Sequence, residues 1–168
     1  MSSSPAQTGP QPGPQIDPRG PRFTAGVTLV LLAVVLLVAP STLAIVLLGL
    51  QAVFFAIGAG RGVQHTPTAY VFKSIIRPRL AAPSHLEDAR PPRFAQAVGL
   101  AFTLVALSGY LSGATLLGAI ATGFALAAAF LNAVFGFCLG CELYLLIRRI
   151  APEKNNNTTT ATDKEVVA

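Results

Sequence analysis

Long runs of uncharged, apolar residues alternate with polar segments along the chain. Four such runs cover residues 24–39, 41–60, 94–111 and 114–135, and a polar stretch from Arg61 to Arg93 separates the second run from the third. The hydrocarbon core of a membrane is about 30 Å thick, and about 20 apolar residues of helix are needed to cross it. Each run is therefore close to the length of one crossing. The pattern predicts an all-α membrane protein with four transmembrane helices, arranged as two helical hairpins.

Proline and glycine mark the turn within each pair of runs. Residues 24–60 as one straight helix would be about 55 Å long, too long for one crossing, so we expect a break at Pro40. Ser112-Gly113 marks the corresponding turn of the second pair. The apolar stretch continues beyond residue 135, and we expect a short exit helix at about 138–150 after an interruption. Three residues are candidates for that interruption: Asn132, Gly136 and Gly140.

The two ends of the chain differ in composition from the part between them. Residues 1–18 are rich in proline, serine and glutamine, and residues 152–168 contain runs of asparagine and threonine. Neither segment has enough apolar side chains to offset the entropy that is lost on ordering. We therefore expect two disordered tails around a four-helix transmembrane domain at residues 19–151.

The charges predict how this domain is oriented. Charged residues make up 11% of the chain and hydrophobic residues 52%, whereas about 25% of a soluble domain is charged. This composition excludes a nucleic-acid-binding protein despite the net charge of +5. All twelve lysines and arginines lie before the first run, in the middle loop or after residue 147, and neither short turn holds one. Under the positive-inside rule, both termini and the middle loop face the cytoplasm.

A short motif occurs twice, once before each pair of runs. Residues 17–23 read Asp-Pro-Arg-Gly-Pro-Arg-Phe and residues 88–94 read Asp-Ala-Arg-Pro-Pro-Arg-Phe, so five of seven positions are identical at an offset of 71. Because both copies enter the membrane from the same side, they predict a parallel 2+2 internal repeat. The arginines and phenylalanines serve either as interfacial anchors or as part of a site for an anionic ligand or lipid. Residues 70–77 combine apolar and basic positions at helical spacing, which predicts a short interfacial helix in the middle loop.

The two cysteines of the chain, Cys138 and Cys141, form a CxxC motif at the predicted start of the exit helix. Two thiols at this spacing can close a disulfide with little backbone motion, and the free amides of a helix start stabilise a thiolate. Glu142 is the one acidic residue in an apolar segment, and it can accept a thiol proton. The motif therefore predicts a reversible redox pair near the cytoplasmic face. Cys138 would be the attacking thiol and Cys141 the resolving one.

Two other roles for the cysteines stay open. Cys138 and Cys141 can be small apolar packing residues in a close helix contact, alongside the neighbouring glycines. They can also form a metal site with His65 and His85 of the middle loop, although the spacing of these histidines matches no compact zinc motif. The sequence indicates no cofactor.

Three stretches resemble a known family. They are the repeated entry motifs, the long motif from Pro92 to Leu100, and the segment from Leu131 to Glu142. Over about Ile16 to Ile150 the chain resembles the bacterial membrane-protein family catalogued as domain of unknown function 4395. The resemblance implies a bacterial inner-membrane protein without an established activity. It also favours thiol or sulfur chemistry with a cytoplasmic thioredoxin-like or sulfurtransferase partner, because such genes tend to lie near those of the family.

The sequence thus leads to two functional hypotheses. The first is a thiol-redox or sulfur-handling component of the cytoplasmic membrane that uses the CxxC pair. The second is a non-enzymatic membrane scaffold or small transporter subunit in which the cysteines only pack. The lipid bilayer is the partner that both hypotheses share.

Overall fold

The computed structural model of the protein describes residues 14–83 and 85–150. These residues form six α-helices and one two-stranded sheet. The helices are α1 (Arg19–Val38), α2 (Thr42–Arg61), α3 (Pro67–Val71), α4 (Arg90–Leu111), α5 (Thr115–Phe130) and α6 (Leu139–Ile150). The strands are β1 (Gln15–Ile16) and β2 (Glu87–Asp88). Shorter helical turns are π-helical at Phe72–Ile76 and Leu131–Phe135, and 3-10 at Val63–His65 and Arg77–Arg79.

Four of these helices are long and apolar enough to cross a membrane: α1, α2, α4, and α5 together with its π-helical turn. Large apolar side chains point outward from all four, as lipid-facing helices require. Leu37 and Leu116, for example, are 85% and 73% exposed. The predicted all-α class with four spans is confirmed, and the chain is an integral membrane protein.

The first and third spans begin about one turn before their apolar runs. α1 begins at Arg19, whose backbone N–H donates to the Asp17 side chain at 3.0 Å. α4 begins at Arg90, whose N–H donates to the Asp88 side chain at 2.8 Å. The prolines of both entry motifs fit here because the first helical turn leaves its backbone N–H groups unpaired. The entry motif is thus the first turn of a helix.

A short sheet joins the N-terminal segment to the middle loop. β1 and β2 are antiparallel, with Gln15 opposite Asp88 and Ile16 opposite Glu87. The segment at residues 1–18 that the sequence predicts to be disordered includes β1, which forms this pairing. The side chains of this segment bury little surface, and backbone pairing with β2 holds it in place. Residues 1–13 and the predicted tail at 152–168 lie outside the described residues.

Two arginines tie helix starts to helix ends. Arg22 donates from Nη2 to the carbonyl oxygen of Val134 at 3.2 Å. Arg93 donates to the carbonyl oxygens of Ala59 and Gly60, with its Nε 2.6 Å from the first. With the β1–β2 pair, these bonds place the starts of α1 and α4 and the ends of α2 and α5 at one end of the bundle. We call this the basic end; it carries Arg19, Arg22, Arg61, Arg90 and Arg93.

The main cluster of buried apolar residues lies toward the opposite end, near the two short turns. Every spanning helix contributes to one core there, and α2 packs along α4 while α1 packs along α5. The core residues are Leu32, Val35, Ala44, Leu48, Ala106, Tyr110, Ala121 and Ala125. Gly109 and Gly118 bring α4 and α5 together, since a Cβ on Gly109 would lie 2.6 Å from the Gly118 nitrogen. The bundle is closed at this end.

The middle loop packs on the start of α1. Phe72 is 4% exposed, with its ring centroid 5.9 Å from that of Phe23. The hydroxyl of Thr68 lies 3.0 Å from that of Thr24 and 3.1 Å from that of Thr66. The exposed apolar side chains of this helical segment, which include Tyr70, Val71 and Ile75, suit the predicted interfacial position.

Candidate functional site

The chain breaks between α5 and α6 at a glycine. The π-helical turn at Leu131–Phe135 ends at Gly136, which has φ +70°. L-residues rarely adopt this left-handed conformation, and glycine adopts it without strain. Gly136 N–H donates to the Asn132 carbonyl at 3.0 Å, and Phe137 N–H to the Leu131 carbonyl at 3.2 Å, so the last carbonyls of the helix are satisfied. Of the three candidate interruptions, Gly136 is where the helix ends.

The cysteine pair lies directly after this break. Cys138 precedes α6 and its carbonyl accepts the first helical hydrogen bond from Glu142 N–H at 3.0 Å, so Cys138 occupies the N-cap position. Cys141 lies in the first turn. The two sulfurs are in disulfide-bonding contact, and the Cα atoms are 5.2 Å apart, within the usual range for disulfides. Both cysteines are half-buried.

A cavity of about 710 Å³ lies beside the pair, at the basic end between α1, α4, α5 and α6. Cys138, Gly140 and Cys141 form part of its wall. The rings of Phe55, Phe102 and Phe124 also line it. Its polar lining comprises Arg19, Arg22, Thr24, Thr28, His85, Glu87, Gln96 and Asn132.

Arg22 brings a positive charge close to the segment that carries the cysteines. Its guanidinium carbon and Nε lie 3.6 Å from the position of a Cβ on Gly136, two residues before Cys138. The arginine is held there by its bond to Val134. The sequence marked Arg22 as an anchor or an anion site through the repeated motif, but nothing local linked it to the cysteines.

Two amide side chains in the cavity wall were not predicted as site residues. Gln96 and Asn132 are half-buried and line the cavity, and neither side chain has a hydrogen-bond partner among residues 14–83 and 85–150. Gln96 packs against Gly58, where a Cβ would come within 2.8 Å of it. Amides within the membrane-spanning part are costly unless paired. In the sequence, the one feature that could have indicated either residue is a polar amide within an apolar run.

Glu142 lies in the first turn of α6 and is exposed. It does not line the cavity that Cys138 and Cys141 border. An acidic residue at this position complements the partial positive charge of the helix N-terminus. Its role as proton acceptor stays a prediction.

The contacts of the two histidines are with residues other than the cysteines. His65 Nδ1 lies 2.9 Å from the Arg61 carbonyl oxygen. His85 lines the cavity, and its Nε2 is 3.4 Å from Glu87 Oε1. In the part of the chain that the structure describes, no group of three or more His, Cys, Asp or Glu residues is placed to hold a metal ion. The structure therefore does not assemble the Cys2His2 set considered from the sequence.

α6 packs on α4 through a glycine and an aromatic pair. A Cβ on Gly140 would lie 2.6 Å from both Cα and Cβ of Ala95, so the two helices touch at this residue. The rings of Tyr144 and Phe94 are 5.7 Å apart. Away from this contact α6 is amphipathic, with exposed apolar residues ahead of Arg148 and Arg149.

The fold and this site define a four-span membrane protein with a pair of cysteines in disulfide-bonding contact at the start of an amphipathic helix. The chain belongs to the family described as Domain of unknown function (DUF4395), which it matches over residues 16–149. No curated protein and no solved structure matches the chain.

Proposed function

We propose that the protein carries out reversible thiol–disulfide exchange through Cys138 and Cys141 at the basic end of the bundle. The observation that supports this most is the disulfide-bonding contact of the two sulfurs on the wall of a cavity. A half-buried pair beside an open space is accessible to a reactant and shielded from unspecific oxidation. The partner is a thioredoxin-like protein that reaches this end from the cytoplasm.

The exchange proceeds in two balanced steps. The Cys138 thiolate attacks one sulfur of the partner's disulfide, and the second partner sulfur leaves with the electron pair and takes up a proton. Cys141 then loses its proton to Glu142 or water and attacks the Cys138 sulfur, which releases the partner as a dithiol. Two electrons and two protons pass to the partner, and the steps run in reverse when the pair is reduced.

The position of each residue suits its proposed role. At the N-cap of α6, the Cys138 sulfur lies where unpaired backbone N–H groups stabilise a thiolate. The positive charge of Arg22 beside Gly136 acts in the same direction. A sulfurtransferase role would use the same nucleophile, with Cys138 carrying the transferred sulfur as a persulfide.

The proposed location is the bacterial cytoplasmic membrane, with both termini and the middle loop inside. The convergence of arginines at the basic end supports this orientation, because cations are enriched on the cytoplasmic side. We also propose that the two halves are copies of one unit, related by an axis along the membrane normal. The matched Asp17–Arg19 and Asp88–Arg90 contacts support this relation.

A redox titration tests the proposed function. The full-length protein in membranes is equilibrated across a series of dithiol buffers and its free thiols are tagged with a mass-shifting maleimide. We expect one two-electron transition and labelling from the cytoplasmic side. Thiols that never oxidise and label only after denaturation would show that the pair is structural. A Cys138→Ser/Cys141→Ser variant gives the unlabelled baseline.

Single substitutions identify the attacking cysteine and its partner. Cys141→Ser should accumulate a mixed disulfide between Cys138 and a thioredoxin-like protein, because the resolving thiol is gone. Cys138→Ser should accumulate much less. The reverse pattern would assign the attack to Cys141.

A non-enzymatic scaffold or transporter subunit is the second candidate. The close contact of Gly140 with Ala95 favours it, since a small residue in the CxxC motif already serves helix packing. On this hypothesis a Cys138→Ala/Cys141→Ala variant is fully active in every thiol-stress assay. Normal expression with a thiol-specific defect would favour the redox role.

A further inference from the structure

We propose that the cavity binds a lipid-soluble two-electron carrier of the quinone class, which enters from the bilayer between α4 and α5 and exchanges electrons with the Cys138–Cys141 pair. This inference rests on the proposed redox function and names its second substrate. It follows from where the cavity opens, how its polarity changes with depth, and what the cysteines can supply.

The cavity reaches the lipid-facing surface of the bundle. Phe102 and Phe124 line it and are 38% and 62% exposed. Their ring centroids are 6.2 Å apart, and each residue lies about halfway along its helix. The two rings therefore form an aromatic gate at the depth of the hydrocarbon core. A molecule dissolved in the membrane can enter there without passing through water.

The wall changes from apolar to polar between this gate and the cysteines. Phe102, Phe124 and several alanines line the part near mid-span. Asn132, Gln96 and Arg22 line the part near the basic end. Such a gradient suits a ligand with an apolar tail and a flat ring that carries hydrogen-bond acceptors.

Two features favour carbonyl oxygens as the groups that are bound. The side-chain amides of Gln96 and Asn132 have no hydrogen-bond partner in the described chain, and each offers N–H donors to the cavity. Both residues are half-buried on the cavity wall, so a ligand acceptor would supply a hydrogen bond where the protein supplies none. A volume of about 710 Å³ falls within the usual range of small-molecule sites.

The reaction balances without any further reactant. In the forward direction both thiols lose their protons and two electrons, and the sulfur–sulfur bond forms. The quinone ring takes up the two electrons, and two protons from the thiols or from water complete the two hydroxyl groups of the quinol. A thioredoxin-like partner then reduces the disulfide by the exchange described above. The pair thus links a cytoplasmic thiol protein to a carrier in the bilayer.

Anaerobic quinone reduction by the full-length protein in lipid nanodiscs tests the inference. The protein is reduced, freed of reductant and mixed with decylubiquinone, whose ring carbons are all substituted so that thiols cannot add to give a stable thioether. We expect one quinol for each pair of thiols lost. Cys138→Ser/Cys141→Ser should give none.

A cavity-filling pair of variants separates binding from unspecific thiol chemistry. Ala128 lines the cavity and Ala127 is exposed beside it on the outside of α5. Ala128→Phe should slow quinone reduction by about tenfold or more, because the new ring takes the ligand's space. Ala127→Phe should leave the rate unchanged. Asn132→Leu is a second, milder probe, expected to weaken quinone binding through loss of a donor.

A second assay measures oxidation of the same preparations by a water-soluble disulfide. It distinguishes failure of this inference from failure of the proposed function. Wild-type protein that exchanges with the soluble disulfide but never reduces the quinone would overturn the inference and leave the thiol exchange standing. Equal rates of quinone reduction in Ala128→Phe and Ala127→Phe would also overturn it. They would indicate that lipid chains fill the cavity. Protein that reacts with neither oxidant would overturn both proposals.

Discussion

Arg22 at the start of α1 donates to the carbonyl oxygen of Val134 at the end of the π-helical turn, 112 residues further along the chain. Arg93 at the start of α4 makes the matching bond to Gly60 near the end of α2. Arg93 and Arg22 occupy the same position of the repeated motif. Each half of the chain therefore provides the arginine that caps the second helix of the other half.

These caps predict that removal of either arginine lowers the stability of the protein. Arg93→Ala leaves the carbonyls of Ala59 and Gly60 without their donor and should lower the melting temperature by about 2–4 °C. Arg22→Ala should have a smaller effect because it removes one bond. The measurement is thermal unfolding of the purified protein in detergent. Arg79→Ala, an exposed arginine of the middle loop, is the control and should change little. A larger loss for Arg79→Ala would contradict the capping role.

The contact between α6 and α4 predicts the effect of a single methyl group. Gly140→Ala would place a Cβ 2.6 Å from the Ala95 backbone and should cost about 1–3 kcal/mol, as overpacked contacts do. α6 should also shift, so both cysteines should react faster with maleimide.

A second-site change and a control make this prediction specific. Ala95→Gly should restore part of the stability in the Gly140→Ala background, since it removes one of the two clashing atoms. Gly123→Ala, where a Cβ meets nothing within 4 Å, should not destabilise the protein. An unchanged melting temperature for Gly140→Ala would refute the close contact.

A buried polar pair between α1 and α2 predicts a measurable coupling. Gln51 is 2% exposed, and its Nε2 donates to the Thr28 hydroxyl at 3.2 Å. Gln51→Leu and Thr28→Val should each destabilise the bundle. A double-mutant cycle should give a coupling of about 0.6 kcal/mol, the typical value for membrane helices. Additive effects would mean that the bond contributes nothing.

The proposed orientation predicts which loops an external reagent reaches. In a variant without Cys138 and Cys141, a cysteine at Ala82 in the middle loop should react with an impermeant maleimide only in inverted membranes. A cysteine at Ala114 in the turn before α5 should react only in intact cells or spheroplasts. Labelling of both positions from one side would contradict the four-span topology.

Local patterns were sufficient to predict the spans. Uninterrupted apolar runs have no stable alternative to helices in a bilayer, so their number and class follow from composition along the chain. The break at Gly136 was predictable for a similar reason, because glycine was among the few residues there suited to ending a helix. The apolar runs do not mark the helix starts, because α1 and α4 begin at Arg19 and Arg90, in the polar entry motifs before the runs.

The site was predictable only in part. The CxxC spacing indicated that Cys138 and Cys141 could meet, because both belong to one short segment. Their neighbours could not be inferred, because Arg22 and Gln96 come from distant segments that meet only through tertiary packing. Nor does any periodicity signal the cavity, whose wall is built from helices that are distant in the chain. The β1–β2 pair was not predicted, because backbone pairing of two residues per strand imposes almost no pattern on the side chains.

The crossed packing of the helices bears on how the protein can be assembled. Because α2 lies along α4 and α1 along α5, neither half of the chain has a complete interior of its own. A gene divided within the middle loop should therefore yield two polypeptides that are degraded when expressed singly. When they are expressed together, they should be recovered as one complex.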